Sequence, residues 1–191
     1  MVHVGTKQWF YRSDAEWHAL AERLKLTACP HCKKIGTLIR HGCLHGLDET
    51  RRKKVLRARR VFCSNRRVTR PGCGRTFSVW LADKIRRLSL STRSLWRFLQ
   101  HAVKGSIASA IRAIDCQCKR SERTWQRIWQ RFNLGQSRIR TALLARCPPP
   151  EPPPDSPRRP LAQVVAHLQT AFPDAECPIT AFQQTTQTFF V

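Results

Sequence analysis

Negative charge is scarce in this chain: 12 Asp and Glu stand against 35 Lys and Arg, a formal charge of +23 over 191 residues. Such an excess repels itself and strains a compact fold. Its usual counterpart is a polyanion, since each neutralised phosphate releases condensed counterions. Carboxylate chemistry suffers from the same scarcity. Asp48, Glu49, Asp83, Asp115 and Glu122 have no strand context for the Asp/Asp/Glu set that holds two metals in a nuclease-type transposase. Tyr11 is the one tyrosine, without an Arg/His constellation for strand transfer. There is no His-x-His pair and no glycine-rich phosphate loop, so catalysis is not expected. No apolar run approaches the roughly 18 residues that suggest a membrane span. The start, MVHVGTKQWFYRSD, lacks the apolar core of a signal peptide. The expected setting is a reducing one, cytoplasmic and nucleoid-associated, with no membrane partner and no small-molecule substrate.

The charge is unevenly spread. Residues 1–147 hold 33 basic and 8 acidic side chains, a balance of +25; residues 148–191 hold 2 and 4, a balance of −2. The first stretch is therefore expected to meet a phosphate backbone, and the second is not.

Nine cysteines are present. An odd number without an export signal favours metal binding over a disulfide framework. Cys29 and Cys32 form a Cys-x-x-Cys turn, whose two sulfurs can reach one ion. Cys63 and Cys73, with nine residues between them, complete four ligands at a glycine-rich turn, Pro71-Gly72-Cys73-Gly74. Each pair ends a β-like run, as in a zinc ribbon. The apolar content of residues 29–80 is thin, so a structural Zn²⁺ would supply folding free energy that burial cannot. His41, Cys43 and His45 remain alternative ligands. Cys116 and Cys118 read as core or solvated thiols, and Cys147 and Cys177 have no partner pattern.

The pattern of elements predicts an α+β chain. A helix over Ser13–Leu26 opens with a capping box, Ser13 and Glu16. Short strands follow at 36–41, 55–63 and 76–81. A helix over 92–103 with Ser91 or Thr92 as cap precedes a second from Ser106, with Ile107, Ala110, Ile111 and Ile114 on one face. A third from Ser121 carries Trp125, Ile128, Trp129 and Phe132 and is expected to end at Gly135. A fourth spans 136–146. The organisation expected is an N-terminal helix (1–28), a hairpin-based zinc ribbon (29–82), an all-α helix-turn-helix-like bundle (83–147), a Pro-rich linker (148–160) and a C-terminal interaction tail (161–191). That tail holds one expected helix, Leu161–Phe172, and an uncharged end, ITAFQQTTQTFFV; it is too short for a core of its own.

Two stretches read as nucleic-acid contacts. The polar face of the third helix carries Arg123, Gln126, Arg127 and Gln130, and Arg and Gln make bidentate contacts to guanine and adenine edges. The run Arg51, Arg52, Lys53, Lys54, Arg57, Arg59 and Arg60 is expected to line a strand with one basic face that tracks phosphates. Arg66, Arg67, Arg70 and Arg75 extend that patch.

The order CPHC, Gly36-x-x-x-Arg40, GCGRTFSVW and SERTWQRIWQRF resembles the zinc-ribbon plus helix-turn-helix DNA-binding modules of bacterial insertion-sequence transposases and their accessory proteins. Cys73-Gly74-Arg75-Thr76-Phe77-Ser78 is similar to their second knuckle. The resemblance spans about residues 29–132. It implies binding of double-stranded DNA at transposon ends or an operator, in transposition and DNA recombination, with a transposase or recombinase as companion. Family ribbons carry a compact second Cys-x-x-Cys, where this chain has a basic insert between Cys63 and Cys73. A zinc-ribbon RNA or ribosome-associated protein, or an adaptor recruiting an enzyme through residues 161–191, stand as alternatives.

Overall fold

A computed structural model describes residues 9–50, 53–66, 69, 71–114, 120–152 and 159–191. Arg51, Arg52, Arg67, Arg70, Cys116, Cys118 and residues 153–158 of the proline-rich stretch lie outside them. The chain forms two compact units, residues 1–46 with 54–82 and residues 47–53 with 83–191.

In the first unit Ser13 starts α1 (Asp14–Glu22) by accepting the Glu16 N–H at 3.2 Å. Glu16 reaches back to the Arg12 N–H at 2.6 Å, a capping box displaced by one residue. A 3₁₀ turn, Arg23–Leu26, completes the predicted helix. The sheet runs β1 (Phe10–Tyr11), β4 (Thr76–Leu81), β3 (Lys54–Cys63), β2 (Leu38–Leu47) in spatial order. β3 and β4 are antiparallel, with Ala58 opposite Trp80 and Val61 opposite Phe77. β1 runs parallel to β4 and has too few residues to leave a period-2 signal. β2 and β3 are joined by six residues, a span that permits only an antiparallel pair. β2 continues past the predicted end at His41, through Cys43 and His45. The core of this unit joins Tyr11, Trp17, Ala21, Leu24, Leu38, Val61 and Val79 to the buried Cys29 and Cys63.

The second unit is helical. Ser91 caps α2 (Thr92–Lys104) by accepting the Ser94 N–H at 3.1 Å. Ser106 does the same for Ser109 at the start of α3 (Ile107–Ile114). The predicted third and fourth helices are one, α4 (Glu122–Leu144). Gly135 does not break it. The glycine costs about 1 kcal/mol of helix propensity, but Phe132 before it and Ile139 and Leu143 after it are buried in the same core, and that packing outweighs the local preference.

The helix expected over Leu161–Phe172 forms as α5 (Arg159–Ala171), and the uncharged end adds an unexpected α6 (Pro178–Thr186). Residues 161–191 bury Val164, Leu168, Phe172, Ile179, Phe182 and Phe190 beside Trp125 and Phe132. Phe190 stacks on Phe132 at 5.8 Å and meets Phe182 edge-on at 5.6 Å. The segment needs no core of its own because it completes that of α2–α4. Most of its apolar residues are buried in that shared core. Among the described residues no helix is long and apolar enough to cross a membrane.

Candidate metal centre and basic helix face

The four cysteines expected as ligands come together. The sulfurs of Cys29, Cys32, Cys63 and Cys73 all lie within 4.8 Å of one another. Cys29 and Cys73 are 3.8 Å apart, and Cys32 and Cys63 are 3.7 Å apart. A disulfide requires about 2.05 Å, and all four thiols are free. Four sulfurs set tetrahedrally about 2.3 Å from a metal have edges of about 3.8 Å, so the cluster fits a four-thiolate metal site. Among the described residues it is the one group of His, Cys, Asp or Glu that could hold an ion.

Each half is built by backbone geometry. In the first, the Lys33 N–H donates to the Cys29 carbonyl and the Cys29 N–H to the Lys34 carbonyl, both at 2.9 Å. Lys33 takes a positive φ of 64° to allow it. The second half explains how a nine-residue insert is tolerated. The insert is pinched at its base: Gly72 N–H donates to Ser64 O at 2.8 Å, Gly74 N–H to Cys63 O at 3.0 Å, and Cys63 N–H to Arg75 O at 2.9 Å. Cys63 at the end of β3 and Cys73 just before β4 are thus neighbours across two paired strands, whatever length loops out between them. Gly72 is required there, since a Cβ would fall 2.5 Å from both the Cys63 sulfur and the Ser64 oxygen.

The sulfurs are held by polar partners as well. Cys63 Sγ faces the Thr37 hydroxyl at 3.2 Å and accepts the Cys73 N–H at 3.3 Å. Cys29 Sγ accepts the His31 N–H at 3.4 Å. Burial pushes the Cys29 thiol up to about 12, whereas the backbone N–H of Lys34 draws Cys32 down to about 7. The pocket thus disfavours a bare buried thiolate at Cys29, and a cation at the centre would reverse that preference.

The alternative ligands His41, Cys43 and His45 lie on β2, outside this group. His41 lies against Phe62, and His31, between the first two cysteines, meets Phe77 at a steep angle with centroids 6.3 Å apart. Cys43 accepts a hydrogen bond from Arg59 at 3.2 Å. Thr37 and Gly72 are supporting residues that sequence reasoning missed. The Gly72-Cys73 adjacency hinted at the second, but nothing in the sequence marks Thr37.

The basic residues of β3 do not share one exposed face. Arg57 and Arg59 fall in the same every-second-residue series as Val61 and Cys63, and residues two apart line one face of a strand. Arg57 is buried with its side chain packed over Gly46, where a Cβ would come within 2.6 Å of Arg57 Cδ. Arg59 donates to Asp14 at 2.8 Å and lies over the Trp17 ring. The Asp14 carboxylate raises its pKa above the already high guanidinium value. Both side chains are thus engaged within this unit, where the sequence reading expects one exposed basic face. Lys53, Lys54, Arg60 and Arg66 are exposed.

In the helical unit, α4 segregates its faces sharply. Trp125, Ile128, Trp129 and Phe132 are buried, and Phe98 stacks on Trp125 at 4.6 Å. Arg123, Gln126, Arg127 and Gln130 are all exposed, as is Arg131, one turn beyond Arg127. Gln126 donates to Glu122 at 3.2 Å. Carrying the helical spacing one turn further would have added Arg131 to the expected row.

No protein-family model, curated protein or solved structure matches the chain.

Proposed function

We propose that this is a sequence-directed DNA-binding protein, with a structural zinc ribbon and a helix-turn-helix reader, serving as an accessory or regulatory component of a transposable element. The observation that carries the reading is the exposed row Arg123, Gln126, Arg127 and Gln130 on α4, opposite a fully apolar buried face. Arg matches guanine O6 and N7, and Gln matches adenine N6 and N7, in the major groove. A rigid helix is the element that fits that groove. Lys53, Lys54, Arg60 and Arg66 supply backbone attraction without sequence information. A tetrahedral set of four thiolates suits zinc, and four protein ligands leave no open coordination position, as in structural sites. Its role is to hold the ribbon's two halves together. The link to mobile elements rests on the resemblance of the CPHC and CGRTFS segments to transposase ribbons.

Selection of bound sites from a random duplex library tests the reading. A sharp consensus, bound in the presence of excess tRNA, is the expected result. Arg127→Ala should weaken binding to it about 5- to 150-fold, the worth of one bidentate base contact. Binding without any sequence preference, or displacement by tRNA, would contradict it.

A further inference from the structure

One side chain on α4 does not fit the pattern of its own face. Leu134 is 87 % exposed, the most exposed large apolar residue of the described chain. At 3.6 residues per turn it lies within about 40° of Arg123, Arg127, Gln130 and Arg138 around the helix axis. It therefore stands in the middle of the polar stripe, opposite the buried one. Single exposed leucines are common, but this one is surrounded by cations. Glu122, in the first turn, is the one acidic residue of the helix.

That setting selects the occupant. A second copy of the same face would bring arginines against arginines, which costs free energy at close range. An anionic partner that also offers an apolar group is needed. Duplex DNA provides both, since phosphates flank the major groove and the thymine C5-methyl projects into it, where apolar side chains meet it. RNA lacks that methyl in uracil, and its deep, narrow major groove is closed to side chains. Gln130 and Leu134 are one turn apart, about 6 Å along the axis, or roughly two base-pair steps at 3.4 Å.

We infer that Leu134 is a specificity-determining residue that reads a thymine methyl beside the adenine read by Gln130, and hence that the ligand of this face is DNA and not RNA. The inference rests on the reading of α4 as a major-groove helix. Arg138, next on the stripe, already donates to the Phe190 carbonyl at 3.3 Å, so the base-reading part of the face ends near Leu134.

The test uses the full chain and its selected consensus duplex. Each thymidine is replaced in turn by deoxyuridine, which removes the methyl alone, and binding is followed by fluorescence anisotropy at fixed salt. One thymidine is expected whose replacement weakens binding about four-fold, the worth of one buried methyl-sized group. Leu134→Ala should cost about as much on the natural duplex and be insensitive to deoxyuridine at that position, a non-additive cycle. If every deoxyuridine duplex binds as well as its parent while Arg127→Ala still weakens binding, Leu134 is not a reader and the duplex-binding reading survives. If no duplex is selected, both fall. A chain that sediments as a dimer, and as a monomer after Leu134→Ala, with no deoxyuridine effect, would assign Leu134 to self-association instead.

Discussion

Gly72 is where one hydrogen atom decides whether the second half of the metal site closes. It lies between the Cys63 sulfur and the Ser64 carbonyl, and both block a side chain at 2.5 Å. Gly72→Ala should destabilise the strand unit by about 1–3 kcal/mol, the usual cost of forcing an extra carbon into a packed site. The same change should loosen the metal, seen as faster transfer to a chromophoric chelator. Unchanged denaturation and transfer would show that the pinch at 63–74 does not build the site. Cys29 and Cys32 were legible from spacing alone, because a tight turn fixes both sulfurs. Cys63 and Cys73 were legible only as turn-bound cysteines, since hydrogen bonds between Cys63, Ser64, Gly72, Gly74 and Arg75 bring them together. The burial of Arg57 was not legible, because seven cations among the ten residues from Arg51 to Arg60 hide which of them share a face with Val61.

α4 shows the same limit at the scale of an element. Its first four turns were readable from the spacing of Trp125, Ile128, Trp129 and Phe132 and residues 136–146 as a further helix, but their continuity was not, because Gly135 looks locally like a stop. Tertiary burial of Ile139 and Leu143 carries the helix through. A Cβ at Gly135 would make ordinary contacts, 3.6 Å to the Phe190 carbonyl oxygen and 3.9 Å to an Arg138 nitrogen. Gly135→Ala should therefore stabilise the helical unit by about 0.5–1 kcal/mol, from regained propensity and a less flexible unfolded chain. A higher denaturant midpoint with the same slope is the expected observation, and a lower midpoint would place strain where none is expected. α6 was missed for a related reason. Its sequence PITAFQQTT has weak helix formers and no charge pattern, and the shared core around Phe182 and Phe190 is what forms it.

Over the whole molecule the two units differ in what sustains them. Among the described residues the helical unit buries 27 apolar residues in one cluster, whereas the main cluster of the strand unit has nine, two of them the cysteines Cys29 and Cys63. A core that thin leaves metal binding to supply folding free energy. Chelation of the full chain, followed by hydrogen exchange, should abolish protection in β3 and β4 while α4 and α5 keep theirs. Uniform loss, or no loss, would contradict that division. The charge of +23 belongs to this scale as well, and makes any duplex binding fall steeply with salt. Everything proposed for the strand unit depends on four sulfurs holding one ion, and elemental analysis of the purified full chain tests that directly. One equivalent of zinc per chain, lost on Cys63→Ser, is the predicted result; a chain without bound metal, or one whose zinc survives Cys63→Ser with Cys73→Ser, would contradict it.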